Sequence, residues 1–188
     1  MATTRRTFLA GSAATGALGL SLSNAGALAA AADARVSAVA YGVLSATQAA
    51  TLDAFGDVLL PGARAAGLAS FVDRQLVLPR EEQALMIRYL GLPPPYTDFY
   101  ARGLAALDDF AGSRHASAFA ALPAALADDI VAAIAKGSPL PWNGPPAALF
   151  YFVVRNDALD VVYGTEAGFA KLGIPYMAHI APPTRWPE

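Results

Sequence analysis

The residues that could do chemistry are few and poorly spaced for it. The two histidines, His115 and His179, stand 64 positions apart (179 − 115) and in neither an HxxxH nor an HExxH arrangement, which excludes a helix-borne zinc site. His115 falls in "GSRHAS" and reads as a solvated connector residue, whereas His179 falls among aromatics and reads as a hydrogen-bonded packing histidine rather than a catalyst. Asp53 and Asp57, four apart, could share a helix face for acid–base work or a cation. No histidine or third acid stands near them, and the pair reads as a solvated face. Asp108-Asp109 and Asp128-Asp129 point in adjacent directions and read as helix surface. There is no GxSxG elbow, no P-loop and no strand-anchored GxGxxG; Gly16 and Gly19 belong to the N-terminal leader. No residue is nominated as catalytic, cofactor-binding or metal-ligating.

The chain has no cysteine, which rules out a disulfide, a thiolate metal site, an iron–sulfur cluster and a covalently attached c-type haem of its own. The 188 residues fit one domain. Charge is sparse: removing Arg5 and Arg6 from the 13 basic residues leaves 11 against 15 acidic ones, a net charge of −4 for the chain beyond the leader. Without a basic patch, nucleic acid and anionic membrane surfaces are poor partners.

The N-terminal stretch "TTRRTFLAGSAATGAL" carries the strongest local signal. The adjacent Arg5 and Arg6, then Phe8 and Leu9, then an uncharged run rich in Ala, Gly, Ser and Thr, form the pattern of a twin-arginine export signal. Ala27-Leu28-Ala29 offers a small-x-small cleavage pattern, so residues 1–29 are expected to be the signal and the protein to be exported, already folded, to the periplasm. Thr7 to Ala32 is also long enough to span a bilayer, and an uncleaved anchor is the rival reading.

Beyond a linker at 30–44, residues 45–172 read as helices punctuated by proline. Ser45 and Gln48 form a capping-box pattern that opens a helix bearing Leu52, Phe55, Val58 and Leu59 on one face, stopped by Pro61-Gly62. A second helix is expected over 68–78, with Leu68, Phe71, Val72 and Leu76 buried. Pro79 is placed to start a third, carrying Leu85, Met86, Tyr89 and Leu90. Pro93-Pro94-Pro95 is a stiff connector, after which Thr97 caps a helix with Tyr100, Leu104, Leu107 and Phe110 inward. Another helix starts near Pro123 with Leu126, Ile130, Val131 and Ile134, and a last strong one runs from about Pro146 to Val161. The fold class is therefore all-α, an irregular or orthogonal helical bundle, with an extended tail at 173–188 rich in proline and aromatics. Hydrophobic residues reach 55% and charged ones only 15%, against about 45–50% and about 25% in ordinary domains. A domain so thinly covered is expected to leave an apolar surface for a partner.

Three stretches carry a recognisable pattern: "TRRTFLAGSA", "LLPGARAAGLASFVDRQL" at 59–76, and "ALDVVYGTEAGFAKLGIPYMAHIAPPTRW" at 158–186. Together they resemble the gluconate 2-dehydrogenase subunit 3 family, with a small-residue lead into a Phe-x-Asp helix and a Tyr-Gly tail; where the closest family form has a second glycine and an Asn after Tyr-Gly, Thr165 and Glu166 stand here. The resemblance implies a small, non-catalytic subunit without cofactor. Its large partner would be a flavoprotein of the glucose–methanol–choline type, holding FAD and oxidising a sugar, sugar acid or polyol. A multihaem c-type cytochrome, with haem c, can complete such a complex. It also implies that this chain supplies the export signal read by the twin-arginine translocon. The flavoprotein would travel with it, folded around its flavin.

On that reading the expected interface residues are Trp142, Tyr151, Phe152, Tyr163, Gly164, Tyr176, His179 and Trp186. "ALFYFVV" is apolar around nearly its whole helix, so Phe150 and Val153 are assigned to the core and Tyr151 and Tyr163 to the interface. The alternatives are a small stand-alone periplasmic enzyme using an acid pair or His179, and a membrane anchor that keeps its leader.

Overall fold

The computed structural model describes residues 40–176, and these are helical with no strand. Seven α-helices follow in order: α1 Ala46–Leu59, α2 Leu68–Val77, α3 Met86–Tyr89, α4 Tyr96–His115, α5 Ala124–Ala135, α6 Ala147–Tyr163 and α7 Glu166–Lys171. Single 3-10 turns stand at Arg80–Glu82 and Phe119–Ala121. The all-α irregular bundle expected from the sequence is the architecture found. The extended tail falls on 173–188, of which only 173–176 are described; there Gly173 turns the chain with φ of 66°.

α1 is the central element and touches α2, α4, α5 and α6. Its start is the expected capping box: Gln48 N–H donates to Ser45 Oγ at 3.1 Å, and Ser45 N–H donates to Gln48 Oε1 at 2.8 Å. Leu52 and Phe55 are completely buried. The Phe55 ring stacks on Phe150 of α6 at 5.5 Å and meets Phe119 edge-on at 5.9 Å. Full burial of an aromatic ring of this size contributes about 1.5–3 kcal/mol, so this three-ring contact fixes how α1, α6 and the 119–121 turn meet. Phe150 and Val153 lie in the core as expected.

The chain from Pro79 differs from the sequence reading. No long helix begins there: a 3-10 turn is followed by extended residues and then by the four-residue α3, and Tyr89 and Leu90 are exposed. The reason lies in who takes the backbone donors. Ala84 N–H donates to Gln75 Oε1 at 2.6 Å, and Met86 N–H donates to Asp157 Oδ1 at 2.9 Å. Donors that a helix would satisfy internally are claimed by side chains of α2 and α6. Thr97 is likewise no cap: α4 begins at Tyr96, after Pro95, with no side-chain cap at all. His115 is not in a connector but in the last turn of α4, where a basic residue suits the helix dipole.

The acidic pairs need the largest correction. Asp53 accepts from Ala69 N–H at 3.0 Å, capping α2 from α1, and Asp57 accepts from Arg64 N–H at 2.9 Å with the Arg64 guanidinium 3.6 Å away. Asp108 is half-buried and accepts from both the Thr51 hydroxyl and Phe119 N–H, each at 3.0 Å. These are ties between elements rather than solvated faces, because the bundle's short connections leave backbone donors that only a side chain can reach. Asp109, Asp128 and Asp129 are exposed, as expected.

Candidate partner interface

The described part of the expected interface divides into two groups along α6. At its N-terminal end Trp142 lies half-buried in the preceding loop, its Nε1–H donating to Pro145 O at 2.6 Å and its ring 6.2 Å from Phe150. Tyr151 is half-buried against the core and Phe152 is 42% exposed. At the C-terminal end Tyr163 packs half-buried on the core. Gly164 caps the helix by donating its N–H to Asp160 O at 2.8 Å. Tyr176 returns to meet Phe169 of α7 edge-on at 5.0 Å. With a rise of about 1.5 Å per residue, Tyr151 and Tyr163 are about 18 Å apart, so the residues form two patches and not one. His179 and Trp186, like Arg5, Arg6, Phe8 and Leu9 of the leader, lie outside the described residues.

The C-terminal patch explains why the sequence around it is so restricted. A Cβ on Gly164 would collide with the Asp160 carbonyl oxygen, so no larger residue fits where α6 ends. Thr165 then caps α7, its Oγ1 accepting from Gly168 N–H at 3.0 Å. This corner faces the α1–α2 loop. Gly62, Ala65 and Ala66 from that loop, and Val161, Val162, Thr165, Ala167 and Lys171 from the corner, line a shallow groove of about 250 Å³. Two stretches a hundred residues apart, "PGARAAG" and "VVYGTEAGFAK", thus converge on one surface. The groove is smaller than the roughly 300–1,000 Å³ of sites that enclose a cofactor-sized molecule.

Two carboxylates missed as special by sequence reasoning are buried ties. Asp73, in the Phe-x-Asp stretch of α2, accepts from the N–H groups of Gly42, Val43 and Leu44 at 2.8, 2.9 and 2.8 Å, pinning the chain that enters α1. Asp157 of α6 is fully buried and accepts from Met86 N–H and, at 2.6 Å, from the Tyr100 hydroxyl. Burial pushes its pKa up to about 7, against the pull of both donors, and Asp160 adds to the rise. The same burial, then the neighbouring Asp157 charge, holds Tyr100 well above its usual range. Asp53 is raised by burial to about 6. Such shifts mark functional groups in open clefts. Asp157 and Tyr100 are instead sealed from solvent and engaged with each other, so their role is to hold α3, α4 and α6 together. Their signal was readable: Asp157 stands at the helical spacings i+7, i+4, i+3 and i−4 from Phe150, Val153, Val154 and Val161, in the middle of the apolar stripe. Among the described residues no group of His, Asp or Glu is arranged to hold a metal ion, and no helix is long and apolar enough to cross a membrane.

Residues 46–179 match the family model described as gluconate 2-dehydrogenase subunit 3. The chain belongs to that family. The match runs from the first residue of α1 through the whole helical unit and the Tyr-Gly corner, so the groove, the Asp157 tie and both aromatic patches lie within the family region, while the Asp73 tie reaches donors at 42–44, just outside it. The gluconate 2-dehydrogenase subunit 3 family provides a subunit of a dehydrogenase complex, and this chain is an accessory member of that kind. No curated protein and no solved structure matches the chain.

Proposed function

We propose that this gluconate 2-dehydrogenase subunit 3 relative is the non-catalytic small subunit of an FAD-dependent dehydrogenase of the glucose–methanol–choline type. It binds the flavoprotein in the cytoplasm and escorts it through the twin-arginine translocon. It then stays attached as a structural partner in the periplasm or at the membrane. The observation that carries the reading is the family match over 46–179 in a chain that also bears Arg5-Arg6 followed by Phe8-Leu9. Flavin insertion requires a folded site before export, which accounts for a folded-protein route in a chain that nominates no cofactor site of its own. Its most deeply buried titratable pair, Asp157 and Tyr100, is sealed inside the bundle, while Phe152 and most of the described prolines are exposed. That division suits a subunit that contributes surface rather than chemistry.

The test is to purify the C-terminally tagged protein gently from native cells, identify what accompanies it by mass spectrometry and record the visible spectrum. The reading expects a larger flavoprotein with the absorbance of bound FAD, with or without haem bands from a cytochrome. A colourless, stable, monodisperse single chain would overturn it.

A further inference from the structure

The chain that leaves α7 is turned back on that helix. Leu172 ends α7 and Gly173 takes a φ of 66°. Gly173 N–H donates to Ala170 O and Ile174 N–H to Phe169 O, each at 3.1 Å. This pair of bonds is the Schellman arrangement, which reverses the chain at a helix end. Two residues later the Tyr176 ring meets Phe169 edge-on at 5.0 Å, so residue 176 is already level with the middle of α7 again. Another face of the same helix is a wall of the groove: Ala167 and Lys171, four apart, line it. Phe169 stands roughly 200° round the helix from both, so the returning chain and the groove are separated by the width of one short helix. The facing wall is Gly62, Ala65 and Ala66, whose side chains end at Cβ or earlier and leave a slot that admits a flat ring. Thr165, the hydroxyl in the lining, already accepts from Gly168 N–H, so the groove asks for an apolar occupant.

We infer that this groove is the seat of the chain's own C-terminal segment, with Trp186 as the side chain that fills it. The inference goes beyond the subunit reading and does not depend on it, since seat and occupant belong to one chain. Twelve residues (188 − 176), "MAHIAPPTRWPE", follow Tyr176. At about 3.3 Å per residue, the ten steps from Tyr176 to Trp186 reach about 33 Å, against a helix diameter of about 10–12 Å, so the segment is long enough to round α7 and enter the groove. Pro182-Pro183 restrict the backbone between them and lower the entropy lost on seating. Trp186 is the bulkiest apolar residue of the segment, and a groove of about 250 Å³ matches a single large side chain better than a cofactor. Charge agrees at the rim. Lys171 forms no ion pair among the described residues, and Glu188 follows Trp186 by two positions. Residue type alone placed Trp186 at a partner interface; seated here it closes the chain's own groove instead.

The test is tryptophan fluorescence of the tagged full-length chain. The sequence has two tryptophans, so Trp142→Phe leaves Trp186 as the only one. Its emission should be shifted to the blue and its quenching by acrylamide should be well below that in urea, both independent of protein concentration. Ala65→Glu, which puts a charge into the groove from an exposed position, should raise quenching to the urea value while leaving the far-ultraviolet circular dichroism of the helical unit unchanged. Leu140→Glu, exposed before the opposite end of α6, should leave the quenching as it was. A Trp186 as accessible as in urea would overturn the seat, and so would shielding that survives Ala65→Glu. Shielding that fades on dilution would give the groove to a second copy of the chain, and shielding found only in a complex with the flavoprotein would give Trp186 to the large subunit. Either result would overturn the inference and leave the subunit reading standing.

Discussion

The segment from Gln83 to Met86 and the loop from Pro139 to Pro146 are both irregular connections, yet they handle their backbone in opposite ways. The first is mostly buried, and the N–H donors of Ala84 and Met86 are taken by the side chains of Gln75 and Asp157. The second runs over the surface, and four prolines remove donors outright. An unpaired buried N–H costs about 1–3 kcal/mol, so the interior segment needs carboxylates and amides placed in apolar stripes. The surface loop needs only stiffness. One region therefore carries stability, and the other tolerates change.

Truncation should separate them most sharply. Leu85→Ala removes a fully buried side chain from the first segment and should cost about 2–5 kcal/mol in urea unfolding, while Leu140→Ala in the second should stay within about 0.5 kcal/mol. Equal losses at the two positions would erase the distinction. Next in size, Asp157→Ala leaves Met86 N–H and the Tyr100 hydroxyl buried without their acceptor and should cost about 2–4 kcal/mol. A midpoint within error of wild type would show that the tie carries no stability.

The pH dependence sharpens the same contrast. Asp157 has its folded pKa raised by burial to about 7, above the ordinary carboxylate value of 3.8, so the folded state holds a proton that the unfolded chain gives up. Its contribution is fully present below the unfolded value and declines as pH rises, being lost once pH passes the folded value near 7. The urea midpoint should therefore fall more between about pH 5 and about pH 8 in wild type than in Asp157→Asn. Asp53, raised to about 6, leaves a smaller slope of the same sign in both proteins. Parallel profiles would contradict the assignment. The smallest effect is at the surface of the bundle: Ser45→Ala opens the capping box and should cost about 1 kcal/mol, read from the thermal midpoint.

Much of the bundle was legible in the sequence because apolar spacing and caps are local. Ser45 and Gln48 form the box that their spacing implies, and Leu52, Phe55, Leu104, Leu107, Ile130 and Ile134 are buried on the faces that helical periodicity gives them. What was not legible is non-local. Asp53, Asp57, Asp73 and Asp108 all sit on helices, and a carboxylate on a helix reads as solvent-facing unless one knows that a backbone donor from another element arrives there; Asp157 differs only in standing within an apolar stripe. The broken helix after Pro79 has the same origin, since its donors are captured by residues up to 71 positions away in sequence. On the surface, the aromatic residues of the C-terminal third were identifiable by type, but their separation along α6 into two patches is a matter of geometry.

The measurement that tests the central claim most directly follows the flavoprotein rather than this chain. Arg5→Lys with Arg6→Lys should leave the helical unit and its complex intact while blocking the twin-arginine route. Cells carrying that variant should retain the FAD-loaded large subunit in the cytoplasm, bound to the small one, with dehydrogenase activity lost from the periplasmic fraction. Normal periplasmic activity in those cells would show that the flavoprotein travels without this chain, and the escort role would fall.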